Sequence, residues 1–145
     1  MEEKFELLEH VHKDATMAVY TLKKLMTELK DKDNHIKGSL EEILHKYEKY
    51  ATESKEILEK NGIRAIEENG MAKMMSAMGI KKEVNDDNSD ASMASMLIQG
   101  ISMGSLEMEK KLKDYHGKMS KENEKLAKNF CTFQQHAISE LKKYL

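Results

Sequence analysis

Apolar residues recur along this chain at helical spacing. Leu8, Val11, Ala15, Ala18, Leu22, Leu25 and Leu29 lie alternately three and four positions apart, the seam of a helix packed in a bundle. Lys23, Lys24, Glu28 and Lys30 fall on the opposite, wet side. The pattern predicts a first helix over about 2–31 and a polar turn at Asp31, Asp33 and Asn34. A second stripe, Ile36, Leu40, Ile43, Leu44, Tyr47, Tyr50, Ala51, Ser54, Ile57 and Leu58, predicts a helix over 33–60. Ser39 and Glu42 have the spacing of a capping box near its start, and Asn61-Gly62 followed by Ile63 supplies a left-handed stop. The short turn makes the first two helices an antiparallel hairpin.

Residues 62–89 are less regular. They read as a connection with a short helix over 71–78, ended by Gly79, and with the polar run Asn85 to Asp90 as the entrance to the next helix. A connection this long carries the chain back along the height of a bundle, so the helices on either side of it run parallel. The next helix, over 90–116, has no charged side chain from Ala91 through Leu106. That run is shorter than the ~20 residues a bilayer span needs, and it predicts the most buried helix or one covered by a partner subunit. Gly100 and Gly104 share a face of it, where a neighbouring backbone approaches closely. Gly117 breaks the chain, Ser120 caps, and Leu126, Ala127, Phe130, Gln134, Ala137, Ile138 and Leu141 predict a last helix over 119–144.

Composition sharpens this reading. The 145 residues contain no proline and no tryptophan but 12 methionines, which favours long unbroken helices over strands and flexible filling of the core. The net charge is −2, and Arg64 is the single arginine among 24 basic residues, so the guanidinium forks that read nucleic acids are missing. Cys131 has no partner for an internal disulfide, and the acidic start MEEKFELLEH lacks the features of a secretory leader, which points to a reducing cytoplasm.

Two helical hairpins joined by a long crossover, together with the stretch DNSDASMASMLIQGISMG at Asp87 to Gly104 and the ending FQQHAISELKKYL, resemble a small family of bacterial ferritin-like four-helix bundles. The resemblance implies an all-α, ferritin-like up-down bundle forming one domain over residues 1–145. The wider superfamily implies a di-iron or di-manganese site, built from an inward Glu on each of two helices and an inward Glu-x-x-His on each of the other two.

Those ligand motifs are not met here. Glu42-Ile43-Leu44-His45 has the letters, but at about 100° per residue His45 lies about 160° and Glu42 about 140° from the stripe centred on Tyr47. His136 has Phe133 three positions before it and points away from Gln134. The inward polar side chains are instead Tyr47, Tyr50, Ser54, Asn123 and Gln134, read as a buried hydrogen-bonding network, with Asp14, Thr21 and Glu107 on its borders. Asp14 and Glu107 are the residual metal-ligand candidates, and no cofactor is predicted.

Met71, Met74, Met75 and Met78 have the thioethers of a Cu(I) site. Their Ala and Ile neighbours favour core packing instead, with an adaptable partner-binding surface as the intermediate reading. The histidines are scattered, His10 and His12 face different directions, and NDDNSD lacks the glycine and closing glutamate of a calcium loop. The sequence therefore leads to a non-catalytic structural or interaction bundle that pairs with itself as a homodimer, without nucleic acid or a membrane span. A metal-binding or oxidase-type protein with noncanonical ligands is the alternative, and a Met-rich module for a different protein partner is the third reading.

Overall fold

The computed structural model describes residues 5–67 and 70–145. Five helices and no strands occur among them: α1 (Glu6–Glu28), α2 (Lys37–Lys60), α3 (Gly70–Asp86), α4 (Asp90–Asp114) and α5 (Lys121–Lys142). The predicted start of the first helix lies partly outside the described residues. Within them, α1 opens at Glu6 behind the buried Phe5 and buries Leu7, Leu8, Val11, Ala15, Leu22 and Leu25.

Contacts at the two ends set the directions. Phe5 and Leu8 of the α1 start cluster with Leu58 near the end of α2, with Leu126 of early α5 against them, and the Tyr115 hydroxyl after α4 donates to Glu6. At the other end, Asn34 Nδ2 donates to Asp90 Oδ1 at 2.8 Å, and Ser39 Oγ meets the Tyr144 hydroxyl at 2.8 Å. Hence α2 and α4 descend from one end while α1 and α5 rise from the other. Two antiparallel pairs, α1 with α2 and α4 with α5, share one core.

The connection differs from the prediction. Gly79 does not stop a two-turn helix: α3 runs 17 residues through it, because Ile80 and Val84, one turn apart, are buried in the common core. Ser76 of α3 meets Thr21 of α1, Oγ to Oγ1, at 3.3 Å. The crossover is thus a full helix lying on α1 and α4, and Asn85 and Asp86 end α3 rather than start α4.

Capping follows the sequence at Ser120 and Gly62, departs from it at Ser39, and adds Ser89. Ser89 and Ser120 accept from Ser92 N and Asn123 N, as N-caps do. After α2, Gly62 takes φ 75°, Gly62 N donates to Glu59 O at 3.0 Å and Ile63 N to Leu58 O at 2.9 Å, the paired bonds of a Schellman stop. The Ser39–Glu42 capping box does not form: α2 starts at Lys37 without a side-chain cap of its own. The turn that leads into it is held from α4, since the Asp90 carboxylate accepts His35 N at 3.1 Å and the cap-position Ile36 N at 3.4 Å. Ser39 bonds Tyr144 and Glu140 instead.

The uncharged run of α4 is not the most buried segment. Met93, Ala94, Leu97, Ile101 and Ser105 face the core, but Ala91, Ser95, Gln99, Gly100, Ser102, Met103 and Leu106 are exposed. No helix of the described residues is long and apolar enough to cross a membrane.

Candidate functional site

The polar centre of the molecule forms where α1, α2 and α5 meet. Gln134, fully buried on α5, uses one Nε2 to donate to Asp14 Oδ2 at 3.0 Å and to the Tyr47 hydroxyl at 3.3 Å. Its Oε1 is buried without a hydrogen-bond partner. Turning the amide over would offer that oxygen both the Tyr47 hydroxyl and a protonated Asp14 as donors, so the amide's orientation and the Asp14 proton are coupled. Burial pushes the Asp14 carboxyl up to about 6, the Gln134 hydrogen bond opposes this, and the Glu107 charge adds to it. Burial, reinforced by the Asp14 charge, likewise lifts the Tyr47 phenol well above its ordinary range.

The predicted network of five is therefore a cluster of three. Tyr47 and Gln134 belong to it, and Asp14, expected on its border, is its charged member. Tyr50 joins an aromatic group instead, stacked on Phe133 with ring centroids 5.5 Å apart and edge-on to Phe130 at 5.2 Å. Ser54 turns back on its own helix, donating to Tyr50 O at 2.7 Å. The buried Asn123 lies at the start of α5, where its backbone N–H bonds the Ser120 cap. Phe133, which edges Tyr47 at 4.7 Å, is buried although it stands beside the predicted stripe of α5.

Gly104 is the backbone that lets α4 approach this cluster. A Cβ there would stand 2.8 Å from Asp14 Oδ2 and 3.3 Å from Gln134 Nε2. Gly100 does not share that role, because the space around its own Cβ position is empty. It lines a partly open cavity of about 450 Å³ between α1, α3 and α4, with Asp14 and Tyr47 on its wall. Gly79 of α3 lines the same cavity, again with nothing near its Cβ position. An interior helical glycine costs about 1 kcal/mol relative to alanine, and at these two positions no neighbouring atom requires it.

The residues present do not fit a di-iron or di-manganese centre. Glu42 and His45 are exposed on α2, as the wheel geometry predicts, and His45 Nδ1 approaches Glu48 at 3.7 Å. His136 is exposed, and Glu107 is exposed on α4, acting on Asp14 only through its charge. Among the described residues, no group of three His, Cys, Asp or Glu side chains is placed to hold a metal ion. His12 is buried with Nδ1 at 3.1 Å from Ile66 O. His10 is partly buried with Nε2 unpartnered, and burial lowers its pKa. Cys131 is a buried filler beside Ser105, with sulfur and hydroxyl 3.7 Å apart.

The methionines differ in exposure, with Met26, Met96 and Met119 partly buried against the core. Met93 and Met108 are fully buried, as core filling predicts. Met71, Met74, Met75 and Met78 are not core: they are 69%, 57%, 66% and 66% exposed. Their one-turn spacing places all four on the side of α3 away from the buried Ile80 and Val84. Met103 and Leu106 of α4 are exposed as well.

Comparison with protein families, curated proteins and solved structures gives no match for this chain.

Proposed function

We propose that this chain is a non-catalytic interaction bundle that pairs with a second copy of itself through the outer face of α3. The observation that carries the reading is the solvent-facing stripe Met71, Met74, Met75 and Met78. In a chain that is 34% charged, four large apolar side chains gathered on one outward helix face are the kind of patch that marks an interaction site. Methionine suits such a face, because its unbranched thioether adapts to the surface it meets.

A second copy is the occupant because a two-fold interface sets one patch against the same patch. The four stripe positions carry no charge, so their self-pairing meets no like-charge repulsion within the stripe. Of the lysines beside the stripe, Lys73 Nζ lies 3.2 Å from Glu67 Oε1 and Lys82 Nζ 3.8 Å from Asp86 Oδ2, while Lys81 is exposed next to Met74 and Met78.

The architecture we assign is the ferritin-like one: two antiparallel hairpins joined by a crossover, in a bacterial cytoplasmic protein. It is supported by the common direction of α2 and α4. Light scattering on the purified full chain tests the self-pairing. A mass above one chain supports it, whereas a single-chain mass at every concentration transfers the methionine face to a different protein partner.

A further inference from the structure

The cavity between α1, α3 and α4 is a second feature, independent of the methionine face, which lies on the other side of α3. Its volume is about 450 Å³, at the lower end of the ~300–1,000 Å³ typical of small-molecule pockets. Its walls are mostly apolar, from Leu22 of α1, Ile80 of α3 and Leu97 and Ile101 of α4. The polar groups on it are few: Asp14 and Glu83 contribute carboxylates, Tyr47 a phenol, and Thr21 and Ser76 hydroxyls that meet each other at 3.3 Å, while among the described residues no Lys, Arg or His lines the cavity.

Two further observations bear on this space. Gly79 and Gly100 both stand inside helices on its wall with nothing within 4 Å of their Cβ positions. A β-carbon at either position would meet no neighbouring atom. Asp14 accepts from the Gln134 amide at 3.0 Å, and among the described residues lining the cavity no cation faces its carboxylate.

We propose that this cavity binds an aliphatic amine, with its ammonium against Asp14 and its alkyl chain along the apolar wall. A carboxylate held in an apolar pocket gains most from a ligand that brings its own positive charge and hydrogen-bond donors. Glu83, exposed on α3, adds a second negative charge to the lining, so an acidic ligand of the same shape is repelled. Mostly apolar walls disfavour a short, fully hydrated cation.

The experiment is calorimetric titration of the full-length protein at pH 7.5 with n-octylamine, below its micelle-forming range, against sodium octanoate and 1-octanol. The expected result is saturable one-to-one uptake of the amine, at least tenfold tighter than that of either comparator. Two variants locate it. Asp14→Asn preserves the side-chain shape and the acceptor for Gln134 while removing the charge. Gly100→Leu adds bulk to the cavity wall at a position whose β-carbon meets no obstacle. Circular dichroism checks that each is folded, and each folded variant should weaken octylamine binding tenfold or more. Absence of saturable amine uptake, octanoate binding as tight as the amine, or a smaller loss in either folded variant overturns the proposal. Should Asp14→Asn fail to fold, Gly100→Leu decides.

Discussion

A methyl group on Gly104 would stand 2.8 Å from the Asp14 carboxylate. The two positions belong to different helices, and their closeness is what brings α4 against the only charged member of the central polar cluster. Gly104→Ala must therefore displace Asp14 or α4. We expect it to destabilise the fold by about 1–3 kcal/mol, the usual cost of overpacking, despite the better helix propensity of alanine. Gly100→Ala, one turn away in open space, should instead stabilise by about 0.5–1 kcal/mol. Urea unfolding of the two variants checks this, and shifts of the same sign would refute the distinction.

Asp14 makes stability depend on pH in a definite direction. Its folded-state pKa is raised from 3.8 to about 6. Between those values the folded chain keeps a proton that the unfolded chain releases, so stability falls as pH rises through the window. Below it both states are protonated and the cost is absent; above it the cost is complete, at about 3 kcal/mol. Asp14→Asn should thus match the wild type near pH 4 and exceed it by up to about 3 kcal/mol near pH 7.5. Glu9 and His10, whose pKa values are also moved by burial, are common to both proteins and cancel in the comparison. Denaturation curves whose difference does not change with pH would exclude this role for Asp14.

Asp90 joins the two helix starts at one end of the bundle. Its carboxylate takes the Asn34 amide at 2.8 Å and the His35 and Ile36 backbone N–H groups, so one side chain of α4 caps α2. Asp90→Ala should cost about 1–2 kcal/mol, as removal of a charge-assisted cap does. Asp86→Ala, which loses only an exposed 3.8 Å pair with Lys82, should change stability by less than about 0.5 kcal/mol. Equal thermal shifts for the two variants would remove the cross-helix cap from the account.

Much of the helical frame was legible because it rests on local rules. The three-and-four spacing of Leu22, Leu25 and Leu29, the Gly62 stop and the Ser120 cap each act through neighbours a few residues away. The α2 cap was not legible, since its acceptor, Asp90, lies more than fifty residues further along the chain. The length of α3 was hidden by its composition: methionine is apolar on both of its faces, and Gly79 read as a stop. The pair Ile80 and Val84 was the available signal that the helix continues. In the site, Tyr47 and Gln134 could be found from their places on apolar stripes. The cavity could not, because an empty volume between three helices leaves no periodic trace, and only the unexplained interior glycines Gly79 and Gly100 hint at it.

The central claim is that the methionine face of α3 pairs with its own copy, and sedimentation equilibrium of the wild type beside a Met75→Glu, Met78→Glu double variant tests it most directly. Both residues are exposed, so the substitutions place charge on the surface without touching the core. The account predicts a wild-type mass of twice the 16.7 kDa chain at micromolar concentration, and a variant of single-chain mass with an unchanged far-UV spectrum. A wild type that sediments as one chain throughout, or a dimer that survives both glutamates, would contradict it.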